Sequence, residues 1–168
     1  MNAMPTSTRG LTNWKHGYLP IMDKVDAMPK FSQRSEDYLN TCHPDLIRIC
    51  RFVIQTYDFT VLCGHRGQEE QDAAYPTYTR VRWPDSKHNQ TPSLAVDIIP
   101  YDPVRRHIVP WDEYESFALL AGHMLMAAYA FAIPIRWGGN WTGGYNHKEN
   151  SFRDYPHYEL TSNMLSVS

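Results

Sequence analysis

Apolar residues along this chain fall into short blocks whose spacing switches between helical and extended periods. Leu46, Ile47, Ile49, Cys50, Val53 and Ile54 recur at helical spacing behind Pro44-Asp45, which predicts a helix with one apolar face. Asp58 turns the chain into FTVLCGHR, a β-rich run that predicts a strand from Phe59 to about His65. GQEEQDAAYPTY predicts a short, polar-faced helix stopped at Pro76. Thr79 to Pro92 has no period and reads as a loop. AVDIIPY predicts a second strand, bounded by Pro100 and Asp102. Asp112, with Glu115 three residues on, matches a capping box and opens a long helix. Phe117, Leu120, Met124, Leu125, Ala128 and Phe131 form its expected inner face, and Pro134 ends it. IRWGG and DYPHYEL predict a third and a fourth strand, on either side of a Gly/Asn/Trp-rich loop from Gly138 to Ser151. Helices and strands are grouped rather than strictly alternating, so the expected class is α+β with a small, mostly antiparallel sheet packed with helices.

The first 34 residues, rich in Pro, Met and Gly and without a period, read as an extended N-terminal arm, leaving residues 35–168 as one domain. At 168 residues the chain is long enough for a hydrophobic core without staples. A formal charge of −2 provides no basic surface for a nucleic-acid partner. The longest apolar run, Phe117 to Ile135, is broken by Gly122 and His123 and falls short of the ~20 residues of a membrane span, so no membrane insertion is expected. The N-terminus lacks the apolar stretch of a secretory signal, so the chain is expected to stay in the cytoplasm where it is made until something releases it. Cys42, Cys50 and Cys63 contain no CxxC pair and are expected as reduced thiols rather than as metal ligands.

Chemistry concentrates in three segments, CGHRGQEEQ, SKHNQTPSLAVD and DYPHYEL. A catalytic zinc site commonly takes three His or Asp/Glu ligands and leaves the fourth position to water. His88, Asp97 and His157 supply two imidazoles and a carboxylate, and Asp154 lies where a general base would reach that water. Each signal alone is weak, because a strand His is more often structural and an Asp entering a strand more often forms a turn. Arg66 could simply pair with Glu69 or Glu70 on the following helix. Cys63 and His65 share a strand face, but no third group orients them as a nucleophile pair, and an inert thiol fits better. His123 reads as a core histidine and His43 as a helix-entrance residue, while His16, His107 and His147 fall in loops. Trp137, Trp141 and Tyr145 could form a platform for peptide or sugar, with core packing of Trp137 and loop anchoring of the others as the alternative.

The conjunction S-x-H, A-x-D and D-x-x-H, here Ser86, His88, Ala95, Asp97, Asp154 and His157, resembles the M15 zinc peptidases. CGHRGQEEQ and RWGGNW support the likeness, which spans roughly Ser35 to Leu160, and the RWGG…DYPHYEL ending is most similar to the phage L-alanyl-D-glutamate peptidase branch. The resemblance implies a hedgehog/D,D-peptidase-like fold and one Zn²⁺ per chain, held by His88, Asp97 and His157. It implies Asp154 as general base, Arg66 as substrate-binding residue and oxyanion support, and Ser86 as orienting the loop or a metal ligand; Ser86 and, from its aromatic ring, Trp137 are the further substrate-site candidates. The implied substrate is bacterial peptidoglycan, cut at the L-alanyl-D-glutamate bond by a monomeric phage-type endolysin released from the host cytoplasm. A D-alanyl-D-alanine carboxypeptidase and a non-catalytic zinc-containing binding module are the competing readings. One departure stands out: many relatives read H-x-x-G-x-A-x-D, whereas here the loop is two residues longer and Pro92-Ser93 replaces the glycine.

Overall fold

In the computed structural model, residues 28–144 and 152–162 are described. Most of the expected N-terminal arm, together with Tyr145 and His147, lies outside them. Chain order runs α1 (Gln33–Leu39), α2 (Pro44–Val53), β1 (Phe59–Cys63), α3 (Gln68–Ala74), a 3₁₀ turn (Lys87–Asn89), β2 (Ala95–Asp102), β3 (His107–Ile108), α4 (Tyr114–Ala130), β4 (Ile135–Trp137) and β5 (His157–Leu160). The strands form one antiparallel sheet in the order β1-β2-β5-β4, with β3 against the far end of β2. The α+β expectation holds, and no helix among the described residues is long and apolar enough to cross a membrane.

Helix α2 starts as its sequence suggests. His43 is the N-cap, its Nδ1 accepting from the Asp45 amide at 3.2 Å, and Pro44 occupies the first turn, where a missing N–H costs nothing. Leu46, Ile49, Cys50 and Val53 are buried against α4, whose Phe117, Leu120, Ala121, Met124, Ala127 and Ala128 complete this half of the core. Val61, Val96, Ile98 and Tyr158 close the layer from the sheet side, each at most 1 % exposed.

Two local expectations are corrected. First, α4 begins at Tyr114 behind Glu113 with no side-chain cap, because a turn closed by Glu113 N–H on Pro110 O (3.1 Å) carries the chain past Asp112. Second, Leu125 points outward and Ala121 and Ala127 point inward; the helix is apolar nearly all round, so composition cannot choose its buried face. The segment around Ser35, where the sequence predicts no element, is the helix α1. Ser32 caps it, and the buried Ser35 hydroxyl accepts from the Val61 amide of β1 at 3.2 Å. At its other end α4 stops in a Schellman motif. Ile133 N–H donates to Ala128 O (2.9 Å) and Ala132 N–H to Tyr129 O (3.0 Å), with Ala132 at φ 56°.

Candidate active site

Register across the sheet assembles the site. Cys63 in β1 pairs with Asp97 in β2, and Asp97 pairs with His157 in β5, so three chemically active side chains share one row and one face. His88 reaches the same point from the 3₁₀ turn before β2. Ser86 caps that turn, its Oγ accepting from the His88 amide at 3.3 Å, so its place is in orienting the ligand loop.

The longer loop still delivers both residues because Ser93, fully buried, pins it. Its backbone exchanges hydrogen bonds with Thr41 and His43, at 2.9 and 2.8 Å. Its hydroxyl donates to Gly64 O (3.2 Å) and Ala95 O (2.7 Å). Gly64 has no room for a side chain, since a Cβ would lie 2.2 Å from Tyr38 O and 2.3 Å from Thr41 Oγ1. Its carbonyl is thereby free to receive both Ser93 and the ring of His88.

Three inward-facing atoms converge. His88 Nε2, Asp97 Oδ1 and His157 Nδ1 lie 3.1, 3.0 and 3.2 Å apart (His88–Asp97, Asp97–His157 and His88–His157). Tetrahedral zinc with bonds of 2.0–2.1 Å separates neighbouring ligands by about 3.3 Å, so the donor set and its spacing fit the ion. The outward nitrogens are anchored as such a site requires. His88 Nδ1 donates to Gly64 O at 2.7 Å, and His157 Nε2 donates to Glu159 Oε2 at 3.1 Å. Both acceptors lack hydrogens, so each imidazole keeps a proton on its outer nitrogen, and the inner nitrogen is the one that takes either a second proton or a metal ion.

The charges agree with that closeness. Burial works against a charged His88, but Asp97's charge and hydrogen bond, with Cys63, overcome it and raise the imidazole to about 10. His157 likewise rises to about 9 against burial, through hydrogen bonds to Asp97 and Glu159 and the charge of Asp97. Burial would raise Asp97, yet the two imidazoles hold its carboxyl far below the ordinary carboxylate range. Metal-free, the three groups form an imidazolium–carboxylate cluster, and a cation would take the place of its protons.

Cys63 was discounted on sequence, and the fold brings it to this site: its sulfur and the ligand atoms of His88 and Asp97 all lie within 4.8 Å of one another. His157 offers a further donor at the same point, its Nδ1 3.0 Å from Asp97 Oδ1 and 3.2 Å from His88 Nε2. The Cys63 sulfur is taken up by Gly64 O (3.5 Å) and by Arg66 Nη2 (3.6 Å). Arg66 does not pair with Glu69 or Glu70. Its Nη2 donates to Asp97 Oδ2 (3.3 Å) and its Nη1 to Gln71 Oε1 (3.3 Å), while Glu70 caps the Gly67 amide at 3.0 Å. The guanidinium is therefore held on Asp97 Oδ2, the carboxylate oxygen not shared with the two imidazoles.

Asp154 lines the same cleft, beside Pro156 and His157. Burial, then the charge of Asp97, push its carboxyl above the ordinary range, only partly offset by His157, His88 and Arg66. Gly138 makes its position possible: a Cβ there would meet Asp154 O at 2.4 Å and Asp154 Cβ at 3.1 Å. The cleft has a volume of about 750 Å³ and mixes the cations of Arg66, Arg80, Lys87, Arg136 and Arg153 with the carboxylates of Asp85, Asp97, Asp154 and Glu159.

Trp137 does not line it, and the expectation of substrate contact there is corrected. Its indole is 6 % exposed, stacks with Tyr114 at 6.3 Å, and donates Nε1–H to Tyr155 O at 2.7 Å. Trp111 and Trp141 line the cleft instead, and the Trp141 ring lies 5.6 Å from His157 and 5.0 Å from the Arg136 guanidinium. Arg136 also binds Glu159. Burial opposes the Glu159 charge, but hydrogen bonds from His157 and Arg136 hold its carboxyl at about 2. Glu159 was missed on sequence, although strand alternation puts it on the His157 face two residues on.

Comparison with curated protein sequences finds no significant match. Among solved structures, the crystal structure of Serratia marcescens L-Ala D-Glu endopeptidase ChiX is similar, with a TM-score of 0.63 and 26 % identity over 82 % of this chain and 94 % of that one. The profile of the family described as phage L-alanyl-D-glutamate peptidase matches residues 28–161. That span contains every residue of the cleft, and the chain belongs to this family of phage L-alanyl-D-glutamate peptidases.

Proposed function

We propose that this chain is a zinc-dependent endopeptidase that cuts the L-alanyl-D-glutamate amide of peptidoglycan stem peptides as a phage-type endolysin. The observation that carries the reading is the convergence of His88 Nε2, Asp97 Oδ1 and His157 Nδ1 within 3.2 Å, each imidazole anchored by its other nitrogen. These three residues would hold the ion, which supplies Lewis acidity toward a carbonyl and a water.

The chain's own groups do the rest. Asp154, kept from ionising early by burial, is the base that takes a proton from the attacking water and returns it to the departing D-glutamate amine. Arg66 stands fixed by Asp97 and Gln71, with its Nε–H and one Nη1–H uncommitted among the described residues. Those donors stabilise charge that grows on the scissile oxygen only as the tetrahedral species forms. Glu159 is a positioning residue, holding the His157 ring in the plane that aims Nδ1 inward.

The carboxypeptidase reading asks for a cation to hold a terminal carboxylate, and Arg80 lines the cleft. That cation suits the endopeptidase equally, because D-glutamate linked through its side chain presents a free α-carboxylate. Zinc titration in competition with a chromophoric chelator tests the metal assignment. One zinc per chain is expected, retained in Asp154→Asn and lost in His157→Ala; a zinc-free wild-type chain would overturn it.

A further inference from the structure

We propose that the cleft rim centred on Trp111 is a subsite for the amino sugar that carries the stem peptide, so that this chain reads glycan and peptide together. The inference rests on the peptidase reading above. Four large apolar side chains stand exposed on this cleft: Tyr78 (82 %), Val81 (40 %), Trp111 (55 %) and Phe152 (44 %). Apolar groups left in water around a polar catalytic centre mark a surface that something else covers.

Trp111 is built as a platform. One face stacks on the fully buried Phe117 of α4, with centroids 6.0 Å apart and planes at 21°, and the rest of the indole remains open to the cleft. Phe117 in turn packs 5.7 Å from Tyr155, the residue after Asp154, so a continuous aromatic ladder ties the platform to the base. Arg80, Asp85 and Arg153 line the same cleft and supply polar groups to it. An aromatic face with polar groups at its edge matches a pyranose, whose C–H face stacks while its hydroxyl and acetamido groups stay hydrogen-bonded. An apolar helix or a lipid would not need the interleaved charges.

Substrate chemistry places a sugar there. The amine of the stem's L-alanine is joined in an amide to the lactyl ether of muramic acid. Only one residue, at most about 3.6 Å of extended chain, separates the scissile bond from that group. When the glycan is attached, cleavage after this alanine brings the saccharide to within a few ångströms of the catalytic centre, in reach of the cleft rim.

The test compares two substrates that differ only before the alanine, N-acetylmuramyl-L-Ala-D-Glu-Lys and acetyl-L-Ala-D-Glu-Lys. Turnover by the zinc-loaded chain is measured together with calorimetric binding of both to the zinc-loaded Asp154→Asn protein. Wild type is expected to favour the muramyl peptide in kcat/KM by about tenfold, the scale of one good stacking contact. Trp111→Ala should bring that ratio close to one, and Trp111→Phe should keep most of it, with a thermal melt showing that each is folded. Equal kcat/KM for the two substrates in wild type, or an undiminished ratio in Trp111→Ala, would overturn the subsite. Muramyl-dependent binding that needs Trp111, without cleavage of either peptide, would uphold the subsite and reject the peptidase reading instead.

Discussion

His157 and Glu159 lie two residues apart on β5, and their side chains meet at 3.1 Å, from Nε2 to Oε2, on the side of the ring turned away from Asp97. The carboxylate is fixed in turn by Arg136, which also covers the Trp141 ring beside His157. This closed ring of four side chains leaves His157 one orientation. Removing the carboxylate frees it. Glu159→Ala is expected to weaken zinc affinity roughly 10–100-fold while the fold is retained. Chelator competition measures this, and unaltered affinity would mean that packing alone orients His157.

The charge state of the ligand cluster gives a pH prediction for the metal-free protein. His88 and His157 are raised, to about 10 and about 9. Their contribution to stability is therefore complete below their ordinary pKa of ~6.5 and disappears as pH climbs through 9 to 10. Asp97 and Glu159 are lowered, Glu159 to about 2. Their contribution is complete above the ordinary carboxylate range of ~4 and is lost as pH falls through the lowered values. Thermal melting in chelator should give a plateau between these limits and a decline on both sides. Zinc needs neutral imidazoles, so binding near pH 7.5 should expel about two protons, read by calorimetry in buffers of different ionisation enthalpy.

Asp154 should control the acidic limb of activity. A base must be ionised, and this carboxyl is raised by burial and by the charge of Asp97. The kcat/KM profile is expected to rise with pH through a midpoint above the ordinary Asp value of ~3.9. Asp154→Asn should keep zinc and stability but lose about 10²–10⁴ in kcat. An unshifted acidic limb in that variant would remove Asp154 from the reaction.

The strongly periodic parts of the sequence predicted their own structure. Helix α2 announces itself through Pro44 and a single apolar face, and β2 through a β-branched run that enters the core. Helix α1 does not: only Tyr38 and Leu39 in it are large and apolar, and its place depends on Ser35 bonding to Val61 across 26 residues. The two-residue β3 is too short to leave a pattern. The site shows the same division. His88, Asp97 and His157 are legible as a set of motifs, whereas Cys63 joins them only through the β1–β2 register, which a bulge between Val61 and Cys63 shifts. Trp137 and Trp141 look alike on paper, and only packing assigns one to the core and the other to the cleft.

The helix stop of α4 offers a stability test independent of chemistry. Ala132 holds the left-handed conformation, φ 56°, that closes the Schellman motif. Glycine adopts it without Cβ strain, so Ala132→Gly should stabilise the fold by about 1 kcal/mol in urea denaturation, with activity unchanged. Destabilisation would show that the Ala132 methyl contributes packing that outweighs the strain.

Mass spectrometry of purified peptidoglycan digested with and without chelator tests the central claim most directly. Chelator-sensitive release of stem peptides that begin with D-glutamate, absent with Asp154→Asn, is the predicted result. Release of terminal D-alanine alone, or equal cleavage in the presence of chelator, would contradict it.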